Sequence, residues 1–451
     1  MNAYKMTVGA AVAAVLGTAP AFALDQATSL ASTTTKLVAA GSSAARDAFL
    51  VVMANEICNS GTLDVYRASP TTNQDFRAYS CHLKTTAAGL DASFGSAADK
   101  DVLVYYRSEG GSAWGPVAIA TNTQEMGLNI ADSTCSAATA TNFTIGTTTL
   151  SSVPTHNCSV TGYSIASDTV TSGALELKTV DLGVSDEEPK MYTGTNWPSS
   201  SRFTAVNTPA NITALKNLPK SQGFGQVFGI LLNTSGSNTS LISNLDKQTI
   251  AAIFSGIYAD WSQVPGNTGP GGPITVVRRE PGSGTQVAAG AYFLNVNCGS
   301  GYTFVVDGDA PGAADTDGII EVGATSGLEG TVSSTADSIG LNVYKNPAPA
   351  GTKYVTIGGA AADRTNVGRP YDFAFELTLQ KRSTLADASP VFPASLANGL
   401  ITIAKKAALV PDLVSTFALP IGTNAPGSTV SGRPVSWGTR NGDSCKPFQG
   451  Q

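Results

Sequence analysis

The segment Ile274-Thr-Val-Val-Arg-Arg-Glu-Pro-Gly-Ser-Gly-Thr285, continued by Gln286-Val-Ala-Ala-Gly-Ala-Tyr-Phe-Leu294, constrains this chain more than any other. Its β-branched start reads as a buried strand, Pro281-Gly282 as a tight turn, and the apolar period from Ser283 onward as a helix. That layout aims free backbone N–H groups, the hydroxyls of Ser283 and Thr285, and an arginine at one point. A helix start offers unpaired donors and the positive end of the dipole, which suits a tetrahedral oxyanion. Arg279 can add a charge-assisted fork, and the glycines let the backbone approach closely. The segment implies a site for phosphate or a close relative.

The rest of the chain alternates strand and helix patterns around this unit. Thr35–Gly41 reads as a strand, and Ser42–Ala54 as the helix after it. Buried strands are predicted at Val102–Tyr106, Thr179–Gly183, Val227–Leu232, Ile274–Val277, Tyr302–Val306, Ile339–Tyr344 and Phe373–Leu379, and helices at 245–255, 283–295 and 395–407. Alternation of this kind implies α/β lobes with mostly parallel sheets, whose ligands sit beyond the carboxyl ends of strands. The 451 residues exceed what one compact core usually holds, so two or three lobes are expected. Ser136–Ser152, 265–273 and 307–318 read as loops, the last with clustered carboxylates but no complete calcium-loop pattern.

The N-terminus reads as an export signal. Lys5 precedes a short apolar run, and Ala21-Phe22-Ala23 supplies a small-x-small end, so cleavage is expected after Ala23. The run is too short to span a membrane, and no cysteine follows it to take a lipid. Six cysteines fit an oxidising compartment. They allow fifteen pairings on sequence alone. The equal spacing of 58 to 81 and of 135 to 158 favours Cys58–Cys81 and Cys135–Cys158, leaving Cys298–Cys445. With no CxxC pair and only two histidines, His82 and His156, no metal site is expected. The net charge of −6 argues against nucleic acid or an anionic membrane as partner.

A second polar constellation is Thr179-Val-Asp-Leu-Gly-Val-Ser-Asp186. A carboxylate beside a bound anion repels it unless the ligand carries a proton. An ionised Asp186 can accept a hydrogen bond from protonated phosphate, whereas sulfate at neutral pH has no proton to give. Taken alone, Ser185-Asp186 reads first as a helix cap or turn, and only second as a ligand acceptor.

Four segments together resemble the periplasmic phosphate-binding proteins that feed phosphate ABC transporters. These are Ala40-Gly-Ser-Ser-Ala44, Val180–Asp186, Ile250–Ser262 with its Phe-Ser-Gly-Ile and Trp261, and Arg278–Thr285, in that order. The resemblance implies a two-lobe α/β periplasmic-binding-protein fold of type II, with hinge crossovers and a ligand enclosed between lobes. It implies a signal peptide over 1–23, a first lobe from 24–225 plus 370–451 with inserted loops at about 58–160, and a second lobe over 226–369. By the same resemblance, Ser43 and the backbone of Ala44 donate to phosphate, Ser108 adds a hydroxyl with Ser112 as its competitor, and Asp186 accepts the ligand's proton. Arg279 forms the fork, and Ser283, Gly284 and Thr285 close the cradle. The chain departs from the family at Ala44, where a bulky aromatic is common, and at Pro281, where an aspartate usually orients the arginine; Glu280 or another carboxylate must do so here.

No Gly-x-Ser-x-Gly elbow, Walker motif or His-Glu-x-x-His is present, so a binding protein without catalytic residues, metal or cofactor is expected. The expected ligand is inorganic phosphate, the expected partner an inner-membrane ABC permease, and the expected form a monomer in the periplasm or outside the cell, without membrane insertion. The alternatives are a released structural or adhesive protein on the same fold, motivated by the Ser/Thr-rich insertion, and a receptor for another tetrahedral anion.

Overall fold

The computed structural model describes residues 24–69, 75–87, 92–145, 148–308, 317–345, 347–363, 366–367, 370–406, 418–419, 429–430, 433–434 and 438–450. The segment 1–23, expected as a signal, and most of the acidic 307–318 loop lie outside them. Among the described residues no helix is long and apolar enough to cross a membrane.

The main elements are, in chain order, β1 (Thr35–Gly41), α1 (Arg46–Val52), β2 (Asp64–Ser69), β3 (Phe76–His82), β4 (Asp101–Arg107), α2 (Trp114–Thr121), β5 (Thr139–Ile145), β6 (Thr148–Thr161) and β7 (Leu182–Ser185). They continue with β8 (Ser221–Asn233), α3 (Lys247–Phe254), β9 (Thr275–Arg279), α4 (Gly284–Ala289), β10 (Ile319–Val322), α5 (Thr325–Ser334), β11 (Ser338–Val343), β12 (Ala374–Lys381) and α6 (Pro393–Lys406). One sheet joins the strands in the order β6-β2-β3-β4-β1-β7-β12-β8-β11-β9-β10. Its β-branched and aromatic strands are buried on both faces at the centre, as strands covered by helices on two sides must be.

The long strand β8 couples the two halves of this sheet. Its first part pairs with β12 and its last part, from Phe228, with β11. On one side of it stand β1, β4 and β7; on the other stand β9, β10 and β11. Each half contains a parallel core, with β1 between β4 and β7, and β9 between β10 and β11. The carboxyl ends of β1 and β9 therefore feed the two strand–turn–helix units that the sequence singles out.

The structure corrects several expectations. The sheet is mixed, because β8 and β12 run antiparallel to their neighbours where the chain crosses between halves. Tyr302–Val306 forms no strand: Val305 hydrogen-bonds outside the ladder to Phe254 (2.9 Å), and Tyr302 and Val306 are exposed. The strand predicted at 179–183 begins at Leu182, since the Asp181 carboxylate accepts from the Val38 N–H (3.0 Å) instead of extending the ladder. The helix predicted from Ser42 starts at Arg46, because the Ser42 hydroxyl takes the Ala45 N–H (3.0 Å) and holds a turn there.

The Ser/Thr-rich stretch 136–152, expected as a loop, forms much of the β5–β6 hairpin. Its threonines are β-branched and favour the pleated conformation. β6 then pairs parallel with β2, so the insertion extends the sheet outward from β4. All three expected disulfides form: Cys58–Cys81, Cys135–Cys158 and Cys298–Cys445. The last closes a separation of 147 residues and ties the chain's end to the segment after α4.

Candidate functional site

Gly41 ends β1 at φ +136°, and a Cβ there would lie 1.9 Å from the Val184 carbonyl of β7. Only glycine lets β1 turn out of the sheet this close to its neighbour. The turn that follows presents Ser42 and Ser43, both buried, in different directions. Ser42 donates to the Asp186 carboxylate just past the end of β7, while its backbone carbonyl accepts from the Tyr106 hydroxyl (2.7 Å). Ser43 meets the Thr325 hydroxyl (3.0 Å) at the start of α5.

From the other half, β9 delivers Arg279, which is 1% exposed. Its Nη1 donates to the hydroxyls of both Ser43 and Thr325 at 3.2 Å. Nε and Nη2 donate to the Glu280 carboxylate (3.2 and 3.0 Å), and to the carbonyls of Val322 (3.2 Å) and Gly323 (2.9 Å). Glu280 thus orients the guanidinium in the absence of an aspartate at Pro281. Burial pushes the Glu280 carboxyl up to about 7, with Arg279 only partly countering it.

Beyond the turn, Ser283 caps α4 by accepting from the Gln286 N–H (3.5 Å). Gly284 stands directly on the first half's polar groups: a Cβ there would lie 2.4 Å from the Ser112 hydroxyl and 2.5 Å from Asp186 Oδ2. Thr285 is buried in the same turn. The loop ahead of α2 closes against this segment through the Ala113 N–H and the Gly282 carbonyl (2.8 Å).

Asp186 is fully enclosed in the cluster. Burial raises its pKa, while the Ser42 and Ser112 hydroxyls and the charge of Arg279 work in the opposite direction. Ser112 donates to its Oδ2 at 2.8 Å. An ionised carboxylate held by two hydroxyls, with a guanidinium nearby, can still accept one more hydrogen bond.

Of the residues singled out in the sequence, Ser43, Asp186, Arg279, Ser283, Gly284 and Thr285 lie on the converging turns, and Ala44 is buried beside Ser43. The Ser108 hydroxyl is committed elsewhere, donating to Asp75 (2.7 Å), which also pairs with Arg46 (2.7 Å). Ser112 faces Asp186 in its place. Thr325 and Ser42 were not assigned from the sequence. Gly323-Ala-Thr at a strand-to-helix transition was the available signal for Thr325; nothing separates Ser42 from Ser43 before the turn geometry is known.

The two histidines lie on the outer strands. His82 pairs with Asp101 (2.8 Å) and Asp99 (3.1 Å), and His156 with Asp64 (2.9 Å). Among the described residues, no group of three or more His, Cys, Asp or Glu side chains is placed to hold a metal ion.

Comparison with known proteins places part of this architecture in a family. Residues 228–394, from β8 through β12, match the PBP superfamily domain. Two curated relatives, both called alkaline phosphatase L and both from Pseudomonas aeruginosa, are 32% and 31% identical over 177 residues. Each match takes in 36% of this chain, and the chain spans 44% of the length of those relatives. A putative phosphate ABC transporter substrate-binding protein from Clostridium perfringens, solved with bound phosphate, aligns over 85% of this chain and 99% of its own. Its identity is 12% and its TM-score 0.43. An ABC-type phosphate transport receptor from Vibrio cholerae aligns over 54% of this chain and 81% of its own, at 15% identity and a TM-score of 0.35. Residues 228–394, which carry Arg279, Glu280, Gly284 and Thr325, are similar to the PBP superfamily domain, and the chain has a two-lobe α/β fold.

Proposed function

We propose that this chain is an exported receptor that encloses inorganic phosphate between its two lobes, divided at about 225/226 and 369/370. One observation carries the reading: a buried arginine already fixed by Glu280 turns its remaining edge toward two neutral hydroxyls from opposite lobes. A guanidinium edge with no carboxylate on it is a place for an anion. Ser43, the Ala44 backbone, Arg279 and the turn Ser283–Thr285 supply donors, with Thr325 beside Ser43. Asp186 supplies the acceptor for the ligand's proton, and Ser112 takes the role first assigned to Ser108.

Delivery to an ABC permease of the inner membrane is the physiological role that goes with this reading. The sequence alternative, a released structural protein with an altered site, is separated from it by ligand binding. Titration calorimetry of the mature protein, stripped of ligand, is the test. Phosphate binding with no heat from sulfate supports the receptor, and silence with both ligands abandons it for the structural alternative.

A second reading comes from the curated relatives, whose name is that of a phosphatase. Hydrolysis would need a nucleophile or an activated water. The Ser42 hydroxyl, hydrogen-bonded to buried Asp186 as the Ser112 hydroxyl also is, offers a base-linked nucleophile on these turns. Release of phosphate from a chromogenic monoester, abolished in Ser42→Ala, would favour this reading over simple binding.

A further inference from the structure

Beside the converging turns lies a cleft of about 360 Å³ that neither the anion site nor the fold accounts for. Arg279, Pro281 and Gln286 line it, residues of the same turn whose Gly284 faces Asp186. Its opposite wall carries Thr195 and Asn196, from the chain before the first crossover, so the cleft lies between the lobes. Phe304 and Val306 give it an apolar side.

Two buried polar atoms at this cleft have no partner among the described residues: Gln286 Oε1, an acceptor, and Arg278 Nε, a donor. Gln286 is 6% exposed and Arg278 9%. The other nitrogens of Arg278 are held by the Val305 carbonyl and by Glu321 (3.2 Å), so its Nε is fixed in place rather than free to find water. Leaving both atoms unpaired costs free energy that a bound group offering one donor and one acceptor would recover.

Small-molecule pockets span about 300–1,000 Å³ and combine apolar walls with a few convergent polar groups, as this cleft does. We infer that the cleft receives the alcohol part of a phosphate monoester whose phosphoryl group lies on the Arg279 turn. The alcohol carries at least one hydroxyl, donating to Gln286 and accepting from Arg278, and a carbon face against Phe304 and Val306. This rests on the phosphate reading above and extends its ligand from the inorganic ion to hydroxylated phosphate esters.

The test is a calorimetric titration of the full mature protein with inorganic phosphate and, separately, with glycerol phosphate. Both bind the parent if the inference holds. Gln286→Ala then weakens glycerol phosphate by about tenfold, the equivalent of one hydrogen bond, and leaves phosphate unchanged. Thr195→Trp, made at an exposed position and so tolerable to the fold, fills the cleft and gives the same split. Phosphate binding without glycerol phosphate binding overturns the inference and leaves the receptor reading standing. Equal losses for both ligands in Thr195→Trp also overturn it, and failure of both ligands with the parent protein removes both readings.

Discussion

Two buried arginines, one in each half of the molecule, show what separates a structural cation from one available to a ligand. Arg107, 2% exposed, ends β4 with its donors on fixed protein acceptors. These are the carboxylate of Asp168 (2.7 Å), the carbonyls of Met126 (2.8 Å) and Glu109 (3.2 Å), and the Tyr163 hydroxyl (2.9 Å). Its guanidinium also lies 3.9 Å over the Trp114 ring. Despite burial, Arg107 and the Met126 N–H hold the Asp168 carboxyl below its ordinary range. Arg279 is equally buried, yet its partner Glu280 is pushed up to about 7 by burial, and its Nη1 edge meets only neutral hydroxyls. Around Arg107 the charge is fully answered within the chain. Around Arg279 one guanidinium edge meets no carboxylate, which is the edge the proposed anion would take.

The largest expected effect breaks the closed pair. Arg107→Met leaves buried Asp168 with Arg202 (2.9 Å) as its cation and strips a donor from several buried acceptors, which should cost on the order of 3–5 kcal/mol of stability in urea unfolding. A loss under about 1 kcal/mol would show that Asp168 finds other partners and that the contrast is overdrawn.

Arg279→Ala sharpens the comparison from the other side. Phosphate affinity should fall by on the order of 2–5 kcal/mol in calorimetry, because the enclosed anion loses its charged partner. The stability loss without ligand should be smaller at pH 6 than at pH 8, since burial already pushes the Glu280 carboxyl up to about 7 beside Arg279, and without Arg279 it rises further and takes up a proton. Phosphate affinity unchanged from the parent would remove Arg279 from the site.

Asp186→Asn should weaken phosphate by about 1–3 kcal/mol through loss of one charge-assisted hydrogen bond. The same change should let sulfate bind measurably, since the repulsive carboxylate is gone. Continued rejection of sulfate would mean that discrimination lies elsewhere in the cradle.

The smallest effect concerns Glu109, between the two arginines in sequence and in space. Burial, with Asp75 and Glu280 adding like charge, raises its pKa from 4.5 to about 8. The folded state then holds a proton that the unfolded chain releases above 4.5, so this contribution to stability is complete below that value. It declines as pH rises toward about 8. Thermal melts of Glu109→Gln from pH 5 to 8 should therefore fall less steeply than those of the parent. Parallel slopes would show that Glu109 is not the titrating group.

The two regions also differ in how legible they were. The Arg279 turn was readable because its signals are local: β-branched residues, Pro-Gly, then Ser-Gly-Thr before an apolar helix, all within a dozen residues. The Arg107 centre was invisible, since Asp168 and Tyr163 lie about sixty residues away and join it only through the folded insertion. Ser108 and Ser112 show the same limit at closer range. Four residues apart in one loop, they differ only in which carboxylate each meets, Asp75 or Asp186, and that follows from how the loop packs. Tyr302–Val306 has strand composition but no open ladder beside it.

By itself the sequence determined the alternation of strands and helices, the turn after β9, the capping by Ser283 and, through equal spacings, the disulfide pattern. These depend on neighbours within a few turns of chain or on even pairing of few cysteines. Tertiary structure alone decided that Glu280 orients Arg279, that Thr325 and Ser43 meet from opposite halves of the sheet, and that Ser112 rather than Ser108 faces Asp186. It also decided that the Ser/Thr-rich insertion extends the sheet and that a cleft adjoins the Arg279 turn. Each of these depends on groups far apart in sequence being held within hydrogen-bond reach. Only packing of the two lobes around the crossover strands supplies that proximity.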